Sequence, residues 1–202
     1  PFLAEQKRFY KYIVASYCMR KSAFSGRFYP KSKKEIEENL DIFIKRRIDS
    51  GIKAAIVPHA GWFFSGKCAG KVYSVLAEAE SYVFIGVNHS GQGQEISVSL
   101  EDFESPLGIV KNDAEFGREI LRHLKITEDR EAHRQEHSLE VQLPFLQRIA
   151  NDAKIVTILL YNYTLDSCKK LASVILEVSK KLGRKIVCIA SSDFTHSGPN
   201  YG

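Results

Sequence analysis

Long hydrophobic runs are missing from this 202-residue chain, and it holds one methionine and one tryptophan. No stretch approaches the roughly 18 to 20 apolar residues of a membrane helix, so no membrane-embedded part is expected. The four cysteines, Cys18, Cys68, Cys168 and Cys188, form no C-x-x-C pair. That usage speaks for reduced thiols in a cytoplasmic compartment and against a zinc ribbon or a disulfide framework. There is no Walker A sequence and no G-x-G-x-x-G, so the usual phosphate cradles are not offered. Ser192 lies near His196, but without a G-x-S-x-G elbow a serine hydrolase is poorly supported. Internal repeats and low-complexity tracts are also absent.

What is present is the composition of an ordinary globular protein, 44% hydrophobic and 26% charged. Its length suffices for one sizeable core. The net charge is +5, but the excess Lys and Arg residues, among them Lys33, Lys34, Lys169, Lys170, Lys180 and Lys181, flank helix candidates. They read as solvated faces, and nucleic acid is not the expected partner. Residues 1–18 read as an N-terminal extension: Lys7-Arg8 and the short apolar part after Tyr12 resemble a secretory signal, but Ser16 interrupts it and no A-x-A site follows.

From Met19 onward the pattern alternates between strands and helices. Ser32 and Glu35 make a capping box for a helix over 33–48, carrying Ile36, Leu40, Phe43 and Ile44. Ile52 to Val57, Tyr82 to Val87, Lys154 to Leu160 and Lys185 to Ala190 are short apolar runs, as in parallel strands covered on both faces. Helices are expected over Gly66 to Ala79, after Asp113, from Ser138 with a bend at Pro144, and over Leu165 to Leu182. Cys68 should be buried in the first of these. Glu95 to Leu100 alternates as a half-exposed strand, and Thr127 to Gln135 reads as a polar loop. The expected fold is a single three-layer α/β/α domain over 19–202 with a mainly parallel central sheet.

Four stretches carry the chemistry: Val57 to Trp62, Gly86 to Gly91, Gln135 to Glu140 and Ser191 to Gly198. Three follow strand candidates, and ligands bind outside the carboxyl ends of strands in such sheets. His59 and His89 each sit just past a strand end beside small residues, which suits metal-ligating imidazoles for iron, copper, zinc or nickel. The other reading is a pair of hydrogen-bonded loop histidines. Asp193 and His196, three apart, suit proton handling, or Asp193 serves an Asx-turn of its own loop. His137 suits an acid/base role, with Glu136 and Glu140 as supporting groups, although Glu140 also fits a solvated helix position. Trp62, Phe63 and Phe64 can wall an aromatic pocket or pack in the core, and Asn88 neighbours His89. His123 and His133 are not taken as site residues.

Taken together, these residues resemble the Memo family, also met as protein B of the AmmeMemoRadiSam gene triad. The resemblance rests on Ser25 to Pro30, Pro58-His59-Ala60-Gly61-Trp62, Gly86 to Gly91, Glu136 to Phe145 and Ser191 to His196, in the family's order. The family is similar in fold to class III extradiol dioxygenases, which hold non-haem Fe(II) with two histidines and an acidic residue. The resemblance implies that His59 and His89 are metal ligands, that His196 is the acid/base histidine and that Asp193 is its motif neighbour. It implies an iron or copper cofactor, with zinc an alternative, and a dioxygenase-like oxidoreductase acting on a small, aromatic molecule. A radical-SAM protein is an implied partner. The alternative is a non-catalytic module that binds an anionic phosphopeptide in the same cleft, with Arg27 and Arg134 nearby. Memo-like proteins take a third ligand from a C-terminal cysteine, and none of the four cysteines lies in that motif. The resemblance therefore implies either that the C-terminal part of the family domain is absent, and the third ligand with it, or that the third ligand is Asp193 or solvent. Val87 and Trp62 also depart from the family's usual Pro and Tyr.

Overall fold

The computed structural model describes residues 19–197 and Pro199. The extension over 1–18 and Gly198 lie outside the described residues. The chain runs β1 (Met19–Arg20), α1 (Lys33–Phe43), β2 (Ala54–Val57), α2 (Trp62–Tyr73), β3 (Ser81–Val87), β4 (Ile96–Ser99), β5 (Asp102–Ser105), β6 (Gly108–Val110) and α3 (Ala114–Leu124). It continues through the one-turn α4 (Glu131–Arg134), a 3₁₀ turn (Glu140–Gln142), α5 (Leu143–Ile149), β7 (Lys154–Leu160), α6 (Leu165–Leu182) and β8 (Ile186–Ser191).

The main sheet has the order β2-β8-β3-β7-β4, parallel except for β4. Successive residues of β3 point to opposite faces. Tyr82 and Phe84 enter a core shared with α1, α2 and α5, through Leu40, Tyr73 and Phe145. Val83 enters the other core with Phe116 and Ile120 of α3 and Val174 and Val178 of α6. This is the three-layer α/β/α arrangement. No helix among the described residues is long and apolar enough to cross a membrane.

The longest-range periodicities are matched residue for residue: β7 and α6 have the expected bounds. α6 is closed by a Thr164–Ser167 capping box and by Gly183 in the left-handed region at φ 63°.

Several local expectations are corrected by packing. α1 ends at Phe43, because the Phe43 ring and backbone lie against Gly66 and Gly70, where an added Cβ would come within 2.4–2.5 Å. The chain then leaves the helix, and the Ile48 N–H reaches the Ser74 carbonyl. α2 starts at Trp62 rather than Gly66, and Cys68 is exposed because Gly66, Ala69 and Gly70 form the packed face. β2 pairs only with β8 among the described residues, and Ala54 and Ile56 are exposed, so its apolar run is not covered on both faces. Residues 127–135 are not a plain polar loop: they hold α4, with Asp129 and His133 buried. Pro144 lies in the first turn of α5, where a missing N–H costs no hydrogen bond, so the helix starts there instead of bending. A second sheet, β1-β5-β6, had no expected counterpart; β1 runs parallel to β5 and brings Arg20 into the interior.

Candidate metal centre

Three sheet strands end at one place. β2 and β3 carry His59 and His89 just beyond their carboxyl ends, and β8, lying between them, carries Ser191 and Asp193. His137 arrives from the segment between α4 and the 3₁₀ turn. The rings of His59 and His89 stand edge to face at 5.2 Å, those of His59 and His137 at 5.4 Å, and those of His89 and His137 stack at 4.6 Å. One ring nitrogen from each of the three lies within 4.8 Å of the others.

Each ring is held differently. His89 gives its backbone N–H to Glu136 Oε2 at 2.8 Å, and its Nδ1 lies 3.0 and 3.1 Å from the two carboxylate oxygens. Glu136 is buried, and it also accepts the Ser138 N–H at 2.8 Å. Burial opposes its ionisation, but the His89 ring and these two N–H groups outweigh it and hold the carboxyl at about 2. The bond to Glu136 in turn raises the His89 imidazole above its ordinary value, against the effect of partial burial. An ionised carboxylate only accepts, so Nδ1 carries a proton, and in the neutral ring Nε2 keeps its lone pair.

His59 is buried, which lowers its pKa, while the nearby Asp193 carboxylate works the other way. Its Nδ1 lies 3.1 Å from Ser191 Oγ. Asp193 Oδ1 accepts the backbone N–H groups of His59 at 2.5 Å and Ala60 at 2.9 Å. Burial pushes the His137 imidazole down to about 4, so it is neutral at pH 7. Its ring packs on Phe28 at 4.2 Å and on Phe24 at 5.5 Å.

The structure thus groups His59 and His89 with His137, which the sequence marks as an acid/base residue and not among the candidates for third ligand. His196 meets the cluster through Asp193: its Nε2 is 2.9 Å from Asp193 Oδ2, which lies 3.9 Å from His59 Nε2. Asp193 stays ionised below the usual carboxylate range: burial works against this, and the His196 ring and the two N–H groups prevail.

Three expected pocket residues do other work. Glu140 is neither solvated nor turned to the histidines. It is fully buried and accepts from Arg20, the Ala23 and Phe24 N–H groups, and the Ser22 and Tyr29 hydroxyls. Trp62 is a core residue, packed on Phe145 at 4.6 Å with its indole N–H on the Val141 carbonyl; Phe63 and Phe64 are the exposed pair. Asn88 staples its own loop, accepting from Ser90 Oγ and the Gly91 N–H and donating to the Gln92 carbonyl. Conversely, Arg20 was not marked by its residue type or local pattern, and Gln142 only as part of the Glu136 to Phe145 motif, with no role assigned to it. Their partners lie up to 120 residues away.

A profile described as Memo-like protein matches residues 20–202. The chain belongs to the Memo family. A MEMO1 family protein of Archaeoglobus fulgidus is 41% identical over 182 residues, covering 90% of this chain and 69% of the relative. MEMO1 family proteins of Methanosarcina barkeri and Pyrococcus abyssi are 39% and 40% identical, with 69% and 67% of their lengths covered. The Memo match includes every residue of the histidine cluster, together with Asp193, His196 and the Arg20–Glu140 pair.

Proposed function

We propose that this Memo-family chain is a metal-dependent oxidoreductase of dioxygenase-like type, with His59, His89 and His137 holding iron or copper. The observation that carries this reading is the convergence of three imidazole nitrogens within 4.8 Å. The donor set fits such a group. Three neutral imidazoles suit iron, copper or zinc and do not suit the oxygen-seeking magnesium or calcium. The Glu136 carboxylate behind His89 orients the ring and raises its basicity as a ligand. A bound iron or copper ion would supply Lewis-acid polarisation of a substrate oxygen and a route for electrons.

The remaining residues bind and move protons. Asp193 orients His196, which stands half exposed beside the cluster and is the group offered for proton transfer. Phe24 and Phe28 give an aromatic wall beside His137, which matches a small aromatic substrate. One observation bears on the rival reading, a module for an anionic peptide, although it lies away from the histidine cluster. A cavity of about 610 Å³ opens beside Gln135, lined by Arg20, Lys21, Arg130 and Arg134. These cations already face Glu140, Glu104, Glu128 and Glu131, which weakens the case.

Metal analysis and titration with Fe(II), copper and zinc test the proposal. Alanine at His59, His89 or His137 should abolish tight binding, while His196→Ala should keep binding and lose turnover of a catechol. If all three cluster variants bind metal as the unmodified chain does, the metal reading fails. Zinc binding alone would remove the oxidoreductase assignment. Phosphopeptide binding without any turnover would favour the rival.

A further inference from the structure

A buried polar chain stands behind His59, and its protons can be counted. Gln142 is fully buried in the 3₁₀ turn. Its orientation is set by Pro58, whose carbonyl only accepts and lies 3.0 Å from Gln142 Nε2; the Tyr73 hydroxyl donates to Gln142 Oε1 at 3.2 Å. The second Nε2 proton points to Ser191 Oγ, also at 3.0 Å. Ser191, itself buried, lies 2.6 Å from the Ser138 carbonyl, which can only accept. The single hydroxyl proton of Ser191 is thereby spent on Ser138. Towards His59 Nδ1, Ser191 Oγ has only a lone pair to offer, so Nδ1 must bring the proton. One donated and two accepted bonds saturate the hydroxyl, and the reverse assignment would leave two oxygens facing each other at 2.6 Å in a buried site.

We propose that Ser191 and Gln142 are positioning residues that lock His59 as its Nδ1–H tautomer, leaving unprotonated its Nε2, which lies 3.9 Å from Asp193 Oδ2. Gln142 does so twice over. It holds the backbone at Pro58, the residue before His59, and it supplies the bond that keeps Ser191 turned to Ser138. The effect mirrors that of Glu136 on His89, but it is reached through neutral groups and from another part of the chain. The tautomer stands by itself; its use in holding a metal rests on the function proposed above.

Long-range ¹H–¹⁵N spectra of the metal-free full chain, with ¹⁵N-labelled histidine and His59→Gln for assignment, read the tautomer directly. At pH 8 the unmodified His59 should show a protonated Nδ1 and a bare Nε2. Ser191→Ala should release it towards the Nε2–H form that imidazoles prefer in water, and Ser191→Thr should restore the lock. Zinc affinity should fall about 10- to 100-fold in Ser191→Ala and recover in Ser191→Thr. A mixed or Nε2–H tautomer in the unmodified chain overturns the proposal, and this holds even if the alanine variant does not fold. So does an unchanged tautomer in folded Ser191→Ala. A locked tautomer in a chain that binds no metal would support the positioning role and defeat the metal reading alone.

Discussion

Replacing Glu140 by Gln tests whether one buried ion pair holds the N-terminal part of the domain to the site. The carboxylate is fully buried, and Arg20 beside it is 4% exposed. Glu140 Oε1 accepts from Phe24 N–H and Tyr29 Oη at 2.8 Å and from Ser22 Oγ at 3.0 Å, while Oε2 takes Arg20 and the Ala23 N–H at 3.0 Å. An amide keeps one oxygen and turns an NH₂ group on the donors that met the other. It also leaves the guanidinium charge uncompensated. Breaking a buried pair from one side costs about 3–5 kcal/mol. The lower half of that range is expected, because Arg20 also donates to the carbonyls of Lys21, His133 and Glu136. For a domain of this size the loss corresponds to a fall of about 6–15 °C in melting temperature. Urea unfolding followed by the fluorescence of Trp62, the sole tryptophan and 4% exposed, measures it. Arg20→Met should cost a similar amount, and the double variant should fall well short of the two losses added together. A Glu140→Gln variant destabilised by less than about 1 kcal/mol would refute the reasoning.

Two further outcomes are expected. Gly86→Ala should cost about 1–3 kcal/mol in urea unfolding, since its new Cβ would stand 2.5 Å from Ser138 Oγ and 2.6 Å from Leu139 Cδ2; unchanged stability would show that this contact yields freely. Stability should also decline with acid in two stages. Burial pushes His133 and His137 down to about 4, below their ordinary 6.5, so the unfolded chain takes up these protons first and stability falls as pH drops from 6.5 towards 4. Against burial, the Arg20 charge and hydrogen bonds hold Glu140 below its ordinary 4.5, and hydrogen bonds hold Asp129 below its ordinary 3.8, so their contribution, complete above those values, is lost as pH falls below them. His133→Phe should shrink the first stage, leaving the part carried by His137 and His59, and leave the second; an unaltered profile above pH 4.5 would remove His133 from this account.

The layers, the strands β3 and β7 and the helix α6 were legible in the sequence because they follow from local patterns. Apolar runs mark strands buried on both faces, amphipathic spacing marks α6, and short loops impose parallel crossovers. The exposed second face of β2 was not legible, since an apolar run reads the same at an edge as at a centre. The early end of α1 was hidden for a similar reason. Its helical pattern continues to Ile44, and only the approach of Phe43 to two glycines of α2 turns the chain away.

By itself the sequence determined which histidines stand at strand ends, and thus that His59 and His89 meet at one edge of the sheet. Only the tertiary structure decided that His137 completes their cluster, that His196 reaches it through Asp193, and that Glu140 serves Arg20 instead. The physical reason is range. A strand end is a property of a few neighbouring residues, while a hydrogen bond between Arg20 and Glu140, or between Gln142 and Ser191, exists only after the sheet has brought distant segments together. Imidazole adds a further degree of freedom, because the nitrogen that can hold a metal is chosen by the partner of the other nitrogen. For His89 that partner is 47 residues away and for His59 it is 132, distances along the chain that no local pattern encodes.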